Sequence, residues 1–183
     1  MMFFDDITRD GRLWAVRYDG ESENALFHCF TQWNDVEWLR VFFMENRQDL
    51  ESYFRVTNLN DAIYDTIEDA DLLQCLILDL SPDADLEKLF RPLDNRQTVA
   101  LLLDKEKARL KDVVGHPSWL RLYAIRLEKG SFIVTGGAIK LTEKMPEREH
   151  TLKELTKMEK VRNFLLDEGI VDRDSFEDYQ KSQ

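Results

Sequence analysis

Only two cysteines, four prolines and seven glycines occur among the 183 residues of this chain, so it has few of the residues that staple, kink or loosen a backbone. The two thiols, Cys29 and Cys75, each sit in apolar sequence; this excludes a disulfide scaffold and reads as buried free thiols of a reducing compartment. No stretch reaches the roughly 20 apolar residues of a membrane-spanning helix. The first ten residues carry Asp5, Asp6 and Asp10 where an export signal needs a basic lead and an apolar core, so the expected location is the cytoplasm, with no membrane partner. Catalytic signatures are equally scarce: there is no His-Glu-x-x-His, no Gly-x-Ser-x-Gly elbow, no Cys-x-x-Cys and no calcium loop. His28, His116 and His150 stand far apart in different contexts, and neither a metal nor a cofactor is expected.

Positive charge is also short overall. The formal net charge is −11, which counts against nucleic acid, because holding a polyanion requires lysine and arginine. DNA binding by the chain itself is not expected. The deficit is uneven, however: residues 1–104 hold 9 Lys+Arg against 22 Asp+Glu, whereas residues 105–164 hold 14 against 8, a local net of +6. A cationic surface and an acidic one can therefore share the molecule, and a partner responds to the local field.

A hydrophobic fraction of 43% with eleven phenylalanines indicates a folded chain, and its length suits one core with additions rather than two large domains. Leu13–Tyr18 reads as a strand, and the polar turn Asp19–Asn24 leads to a second strand candidate, Ala25–Trp33, paired with it. Asn34 or Asp35 then caps a helix with Val36, Leu39, Phe43, Leu50 and Phe54 along one stripe, running to about residue 55. A second helix spans about Asn60 to Leu80, with Ile63, Ile67, Ala70, Leu73 and Leu76 or Ile77 inward, until Ser81 and Pro82 interrupt it. Asp83–Phe90 forms a short helical piece, and Leu93–Lys111 mixes turn residues with the apolar run Val99–Leu103.

The stretch from Trp119 to Leu166 carries the functional signal. Trp119–Leu127 is a strand with Arg121, Tyr123, Ile125 and Leu127 on one face; Glu128, Lys129 and Gly130 turn it; and Ser131–Leu141 returns, apolar enough to be buried on both faces over its first half. Thr135–Thr142 lacks the Gly-Lys-Ser/Thr ending of a phosphate loop. Gly136 and Gly137 within a strand point instead to a bulge or a close backbone approach. Pro146 stops any strand near Met145. Thr151 with Glu154 forms a capping-box pattern that starts a helix, Leu152, Leu155, Met158, Val161 and Leu165 continue it, and Gly169 supplies its left-handed end. A short polar tail follows. Arg121, Arg126, Lys140, Lys144 and Arg148 line the hairpin and its exit. They can solvate a sheet face beside Glu128, Glu143, Glu147 or Glu149, or they can grip an RNA backbone and stabilise a pentavalent phosphate.

The order strand, helix, helix, antiparallel hairpin, together with Gly136, Gly137, Lys140, Lys144 and Pro146 and with Arg121 and Tyr123 on the preceding strand, resembles the RelE/HigB-like toxin superfamily in its phage-derived branch. Lys140 takes the place of the first lysine of that branch's pattern, and Leu141 replaces the second. The likeness covers about residues 119–165; this stretch also resembles a group of uncharacterised bacterial proteins sharing the run from Leu122 to Lys140 and the Glu149-His150-Thr151 helix start. It implies an α+β fold, a RelE-like central antiparallel sheet with two or more N-terminal helices packed on it and a C-terminal helix. The expected organisation is a single domain over residues 1–183, elaborated by helices at about 34–92. The function so implied is metal-independent mRNA cleavage on the ribosome by a toxin-antitoxin component, with a small helix-turn-helix antitoxin and ribosome-bound mRNA as partners. Arg121 and Lys140 would stabilise the phosphate, His150 would move a proton, and Arg126, Lys144 and Arg148 would position RNA. The alternative is a catalytically silent protein-interaction module on the same fold.

Overall fold

The computed structural model describes residues 1–78, 86–97, 99, 101–110 and 115–183. Six strands form one sheet: β1 (Met2–Asp6), β2 (Leu13–Tyr18), β3 (Phe90–Pro92), β4 (Lys105–Ala108), β5 (Leu120–Glu128) and β6 (Ser131–Ile139), in the order β1-β2-β6-β5-β4-β3. The fold is α+β. Neighbouring strands run antiparallel except β2 and β6, which pair in parallel through Leu13–Phe132, Trp14–Ile133 and Ala15–Val134. The sheet is therefore mixed rather than purely antiparallel. A parallel pair needs a long crossover, and here the helices and the β3-β4-β5 meander between β2 and β6 provide it.

The expected central hairpin is present. β5 and β6 have neighbours on both sides and are buried on both faces over most of their length. Helices α1 (Ala25–Trp33), α2 (Val36–Glu45), α3 (Arg47–Phe54) and α4 (Leu59–Leu78), with the short α5 (Leu86–Leu89), cover one face, where Leu120, Leu122, Ala124, Phe132 and Val134 meet Trp33, Phe43 and Leu73. Helices α6 (Glu149–Asp167) and α7 (Arg173–Lys181) cover the other, where Tyr123, Ile125, Leu127 and Ile133 meet Met158, Val161 and Leu165.

Several expectations change. Ala25–Trp33 is a helix and not a strand. Asn24 accepts from the Phe27 amide at 3.1 Å, and Ala25, Leu26, Cys29, Phe30 and Trp33 are buried at helical spacing while Phe27 and His28 are exposed. The single helix expected through residue 55 is two, broken at Asn46, whose side chain donates to the Phe42 carbonyl at 2.8 Å. Asp35 caps α2 through the amides of Glu37 and Trp38, which leaves Val36 exposed. Helix α4 matches its expected span as far as Leu78; the Ser81-Pro82 stop lies outside the described residues. Cys75 is exposed on α4, and only Cys29 is buried.

Helix α6 begins at Glu149, two residues before the expected cap. The Thr151 hydroxyl donates to the carbonyls of Met145 and Arg148, and Glu154 turns inward against Gly136, so no capping box forms at this pair. Gly169 does end the helix, at φ +72, with Gly169 N–H bonded to Leu166 O and Ile170 N–H to Leu165 O, the paired bonds of a Schellman close. The expected polar tail is α7, capped by Asp172 on the Ser175 amide at 2.9 Å. Among the described residues no helix is long and apolar enough to cross a membrane.

Candidate functional site

The sheet register assembles the site. Lys107 on β4 stands opposite Tyr123 on β5, and Arg121 stands opposite Ala138 on β6. Residues paired directly across strands share a face, so Lys107 and Arg121 both lie on the α6 side, with Tyr123 and Ala138 in its core. Arg109 and Lys140 continue the same alternation just past the ends of β4 and β6. The Lys140 amide still bonds the Trp119 carbonyl at 2.8 Å and holds that alignment. Four cations thus meet at one corner of the sheet.

Their partners are neutral. Arg121 Nη1 donates to the carbonyls of Ser118 at 2.8 Å and Leu120 at 2.7 Å. Lys107 Nζ donates to Leu93 O at 3.1 Å and Asn95 Oδ1 at 2.7 Å, and Lys140 Nζ to Thr142 O at 3.0 Å and to Glu143 O. Arg109 is exposed. Among the described residues none of the four is ion-paired to a carboxylate. Burial, with Arg109 adding to it, pushes the Arg121 guanidinium down to about 10. Burial also lowers the Lys107 and Lys140 ammonium groups, and Arg121 lowers both further, against the opposing pull of Asp94 on Lys107 and of Glu147 and Glu143 on Lys140. Mutual repulsion of partly desolvated cations is what an incoming anion relieves.

The diglycine beneath this corner answers a packing need. A Cβ on Gly137 would lie 2.7 Å from Arg121 O, 2.9 Å from Cys29 Sγ and 3.0 Å from the Trp33 ring, and one on Gly136 would overlap the Glu154 carboxylate. The ladder slips between Tyr123 and Ala124, which leaves Thr135 as the extra residue of a bulge. Both the bulge and the close approach expected of this pair are present.

Of the six residues singled out from sequence, only Arg121 and Lys140 come together. Arg126 lies on the opposite face, Nη2 2.9 Å from Glu87 Oε1 and Nη1 3.9 Å from Glu106 Oε1. Arg148 is held bidentate by Asp49, with both contacts at 2.6 Å, at the junction of α3 and α6. His150 Nε2 bonds the Ile139 carbonyl at 2.8 Å and its ring stands edge-on to Phe42 at 5.1 Å, so it is packed on the α2 side rather than at the cationic corner. Lys144 is exposed at the start of the 3-10 turn Met145–Glu147. Lys107 and Arg109 are the residues that sequence reading missed. Their signal was the alternation Lys105, Lys107, Arg109, a period of two inside a stretch read as turns.

Among the described residues no group of three or more His, Cys, Asp or Glu side chains is arranged to hold a metal ion. No protein-family model, curated protein or solved structure matches the chain.

Proposed function

We propose that the chain is a RelE/HigB-like component of a toxin-antitoxin locus that grips RNA at the Lys107, Arg109, Arg121 and Lys140 corner and cleaves mRNA without a metal. The observation that carries this reading is four converging cations, none of them paired with a carboxylate among the described residues. The element order of strand, helices, antiparallel meander and closing helix agrees with the family likeness. A ribose 2′-hydroxyl, giving its proton to water, attacks the adjacent phosphorus; the bond to the 5′-oxygen breaks, that oxygen takes a proton from water, and a 2′,3′-cyclic phosphate is left, the phosphoryl oxygens carrying extra negative charge in between. Arg121 and Lys140 stabilise that charge, while Lys107 and the exposed Arg109 hold neighbouring phosphates. A fixed cation that is already desolvated needs little reorganisation as the charge develops.

A second reading, a catalytically silent interaction module, is favoured by the positions of Arg126, Arg148 and His150, each engaged by protein groups away from the corner. Growth after tightly induced expression separates the two. Wild type should arrest growth, and an Arg109→Ala, Lys140→Ala double variant, with folding confirmed by circular dichroism, should relieve the arrest and abolish new mRNA 5′ ends. Equal growth of both at equal soluble expression rejects the ribonuclease reading in favour of the silent module.

A further inference from the structure

On the α1–α4 side of the sheet, across it from the cationic corner, a pocket of about 310 Å³ opens between the α3–α4 connection, the first turns of α4 and the loop Gly115–Trp119. Phe54, Val56, Pro117 and Trp119 provide apolar walls; Asp61 and Asp65, one turn apart on α4, provide negative charge, and Arg55 lines the rim with one positive charge. One turn further, Asp69 is fully buried; the Ser118 side chain lies beside it, and among the described residues no hydrogen bond of good geometry reaches either carboxylate oxygen. It faces the His116 ring, which lines the pocket: His116 Nε2 lies 3.5 Å from Asp69 Oδ1 and 3.8 Å from Asp65 Oδ1. One imidazole nitrogen serves two carboxylates, both at distances too long for a good hydrogen bond. Among the described residues Arg55 and a protonated His116 bring two positive charges against the three carboxylates of Asp61, Asp65 and Asp69, which leaves an excess of negative charge. Burying a carboxylate whose donors are poorly placed is unfavourable, so this arrangement favours an added cation.

We propose that this pocket binds a small organic cation, an alkylguanidinium or alkylammonium head on an apolar stem. The head would sit against Asp61 and Asp65 and share their charge with the His116–Asp69 pair, and the stem would lie along Phe54, Val56 and Trp119. The volume falls at the small end of ligand pockets, roughly 300–1,000 Å³, which suits an arginine-like or lysine-like group. The apolar walls set it apart from a metal site.

The probe is N-butylguanidinium, titrated into the full chain and followed by ¹H–¹⁵N correlation spectra, with sodium butyrate as the anionic control. Saturable shifts of Gly115, His116 and the Trp119 indole N–H, absent with butyrate, support the site. An Asp65→Asn variant should weaken binding about tenfold or more, the effect of losing a charged contact. Asp61→Lys, a change at an exposed position in the first turn of α4, tests the same point if Asp65→Asn fails to fold, because the introduced ammonium occupies the pocket mouth. A peptide with one internal arginine, acetyl-Gly-Arg-Gly-amide, distinguishes the source: tighter binding than N-butylguanidinium marks a partner's side chain, and weaker binding a free amine. Shifts that do not saturate, that butyrate reproduces, or that survive both substitutions overturn the proposal.

Discussion

Glu106 shows how one side chain sets a pH dependence for the fold. It is buried on β4 facing the α1–α4 layer, its Oε2 has no hydrogen-bond partner among the described residues, and Arg126 is 3.9 Å away. Burial pushes its carboxyl up to about 7, against the opposing pull of Arg126. A carboxyl raised above its unfolded value binds its proton more tightly in the folded state, so stability falls as pH rises from about 4.5 to about 7 and levels off beyond. Glu106→Gln should therefore be neutral near pH 4.5 and stabilising above pH 7, by about 1–2 kcal/mol once solvent screening is allowed for. Urea denaturation at the two pH values measures this, and an equal effect at both would remove Glu106 as the source. Nothing in the sequence singles out this glutamate among 36 acidic residues. Its burial follows from β4 pairing with β5, which places Glu106 opposite Ala124. Arg121 and Lys140 were legible because they sit on a strongly patterned hairpin. Arg109 and Lys107 were not, because a four-residue strand of mostly charged side chains carries little hydrophobic alternation.

At the scale of elements, period and context competed. Helices α2, α4 and α6 were readable because their apolar residues recur at three- and four-residue steps over two or more turns. Ala25–Trp33 was misread because aromatic and apolar residues crowd a short segment in which both periods nearly fit, and the deciding feature is Asn24 acting as a cap rather than as part of a turn. Helix α7 has little intrinsic signal beyond Asp172 and one large apolar residue, Phe176. That residue docks it: Phe176 is fully buried, with its ring 5.2 Å from Phe4 and 4.9 Å from Trp14, both pairs near edge-on. Phe176→Ala should lower unfolding free energy by about 3–5 kcal/mol, the usual cost of emptying an aromatic site. A denaturant midpoint close to wild type would show that α7 is dispensable to the core.

Across the whole molecule the charge asymmetry becomes geometry. The acidic first part of the chain supplies the layer of α1–α4, and four cations of the second part, Lys107, Arg109, Arg121 and Lys140, gather at the end of β4–β6 on the opposite face. RNA held at the cationic corner should show strong salt dependence. Four phosphate contacts at about −0.7 each give a slope of log K against log salt of about −3 for a single strand. Arg109→Glu should make that slope shallower by about one contact, measured by fluorescence anisotropy of a labelled single-stranded oligoribonucleotide. A slope near zero in the wild-type chain would count against an RNA-binding corner.

The α+β class was what the family resemblance implied, while the sequence by itself determined the central hairpin, the helical stripes of α2, α4 and α6, the Gly169 stop and the packing role of Gly136 and Gly137. These are local properties, written in spacing and in the few residues that backbone geometry demands. The tertiary structure alone decided the parallel pairing of β2 with β6 and the assignment of α1, the burial of Glu106 and Asp69, and which cations meet. Arg121 and Lys140 converge with Lys107 and Arg109 because strand register carries them to one face, whereas Arg126, Arg148 and His150, near in sequence, are drawn away by Glu87, Asp49 and the Ile139 carbonyl. Charge partners and register are long-range facts, and residues distant along the chain supply them.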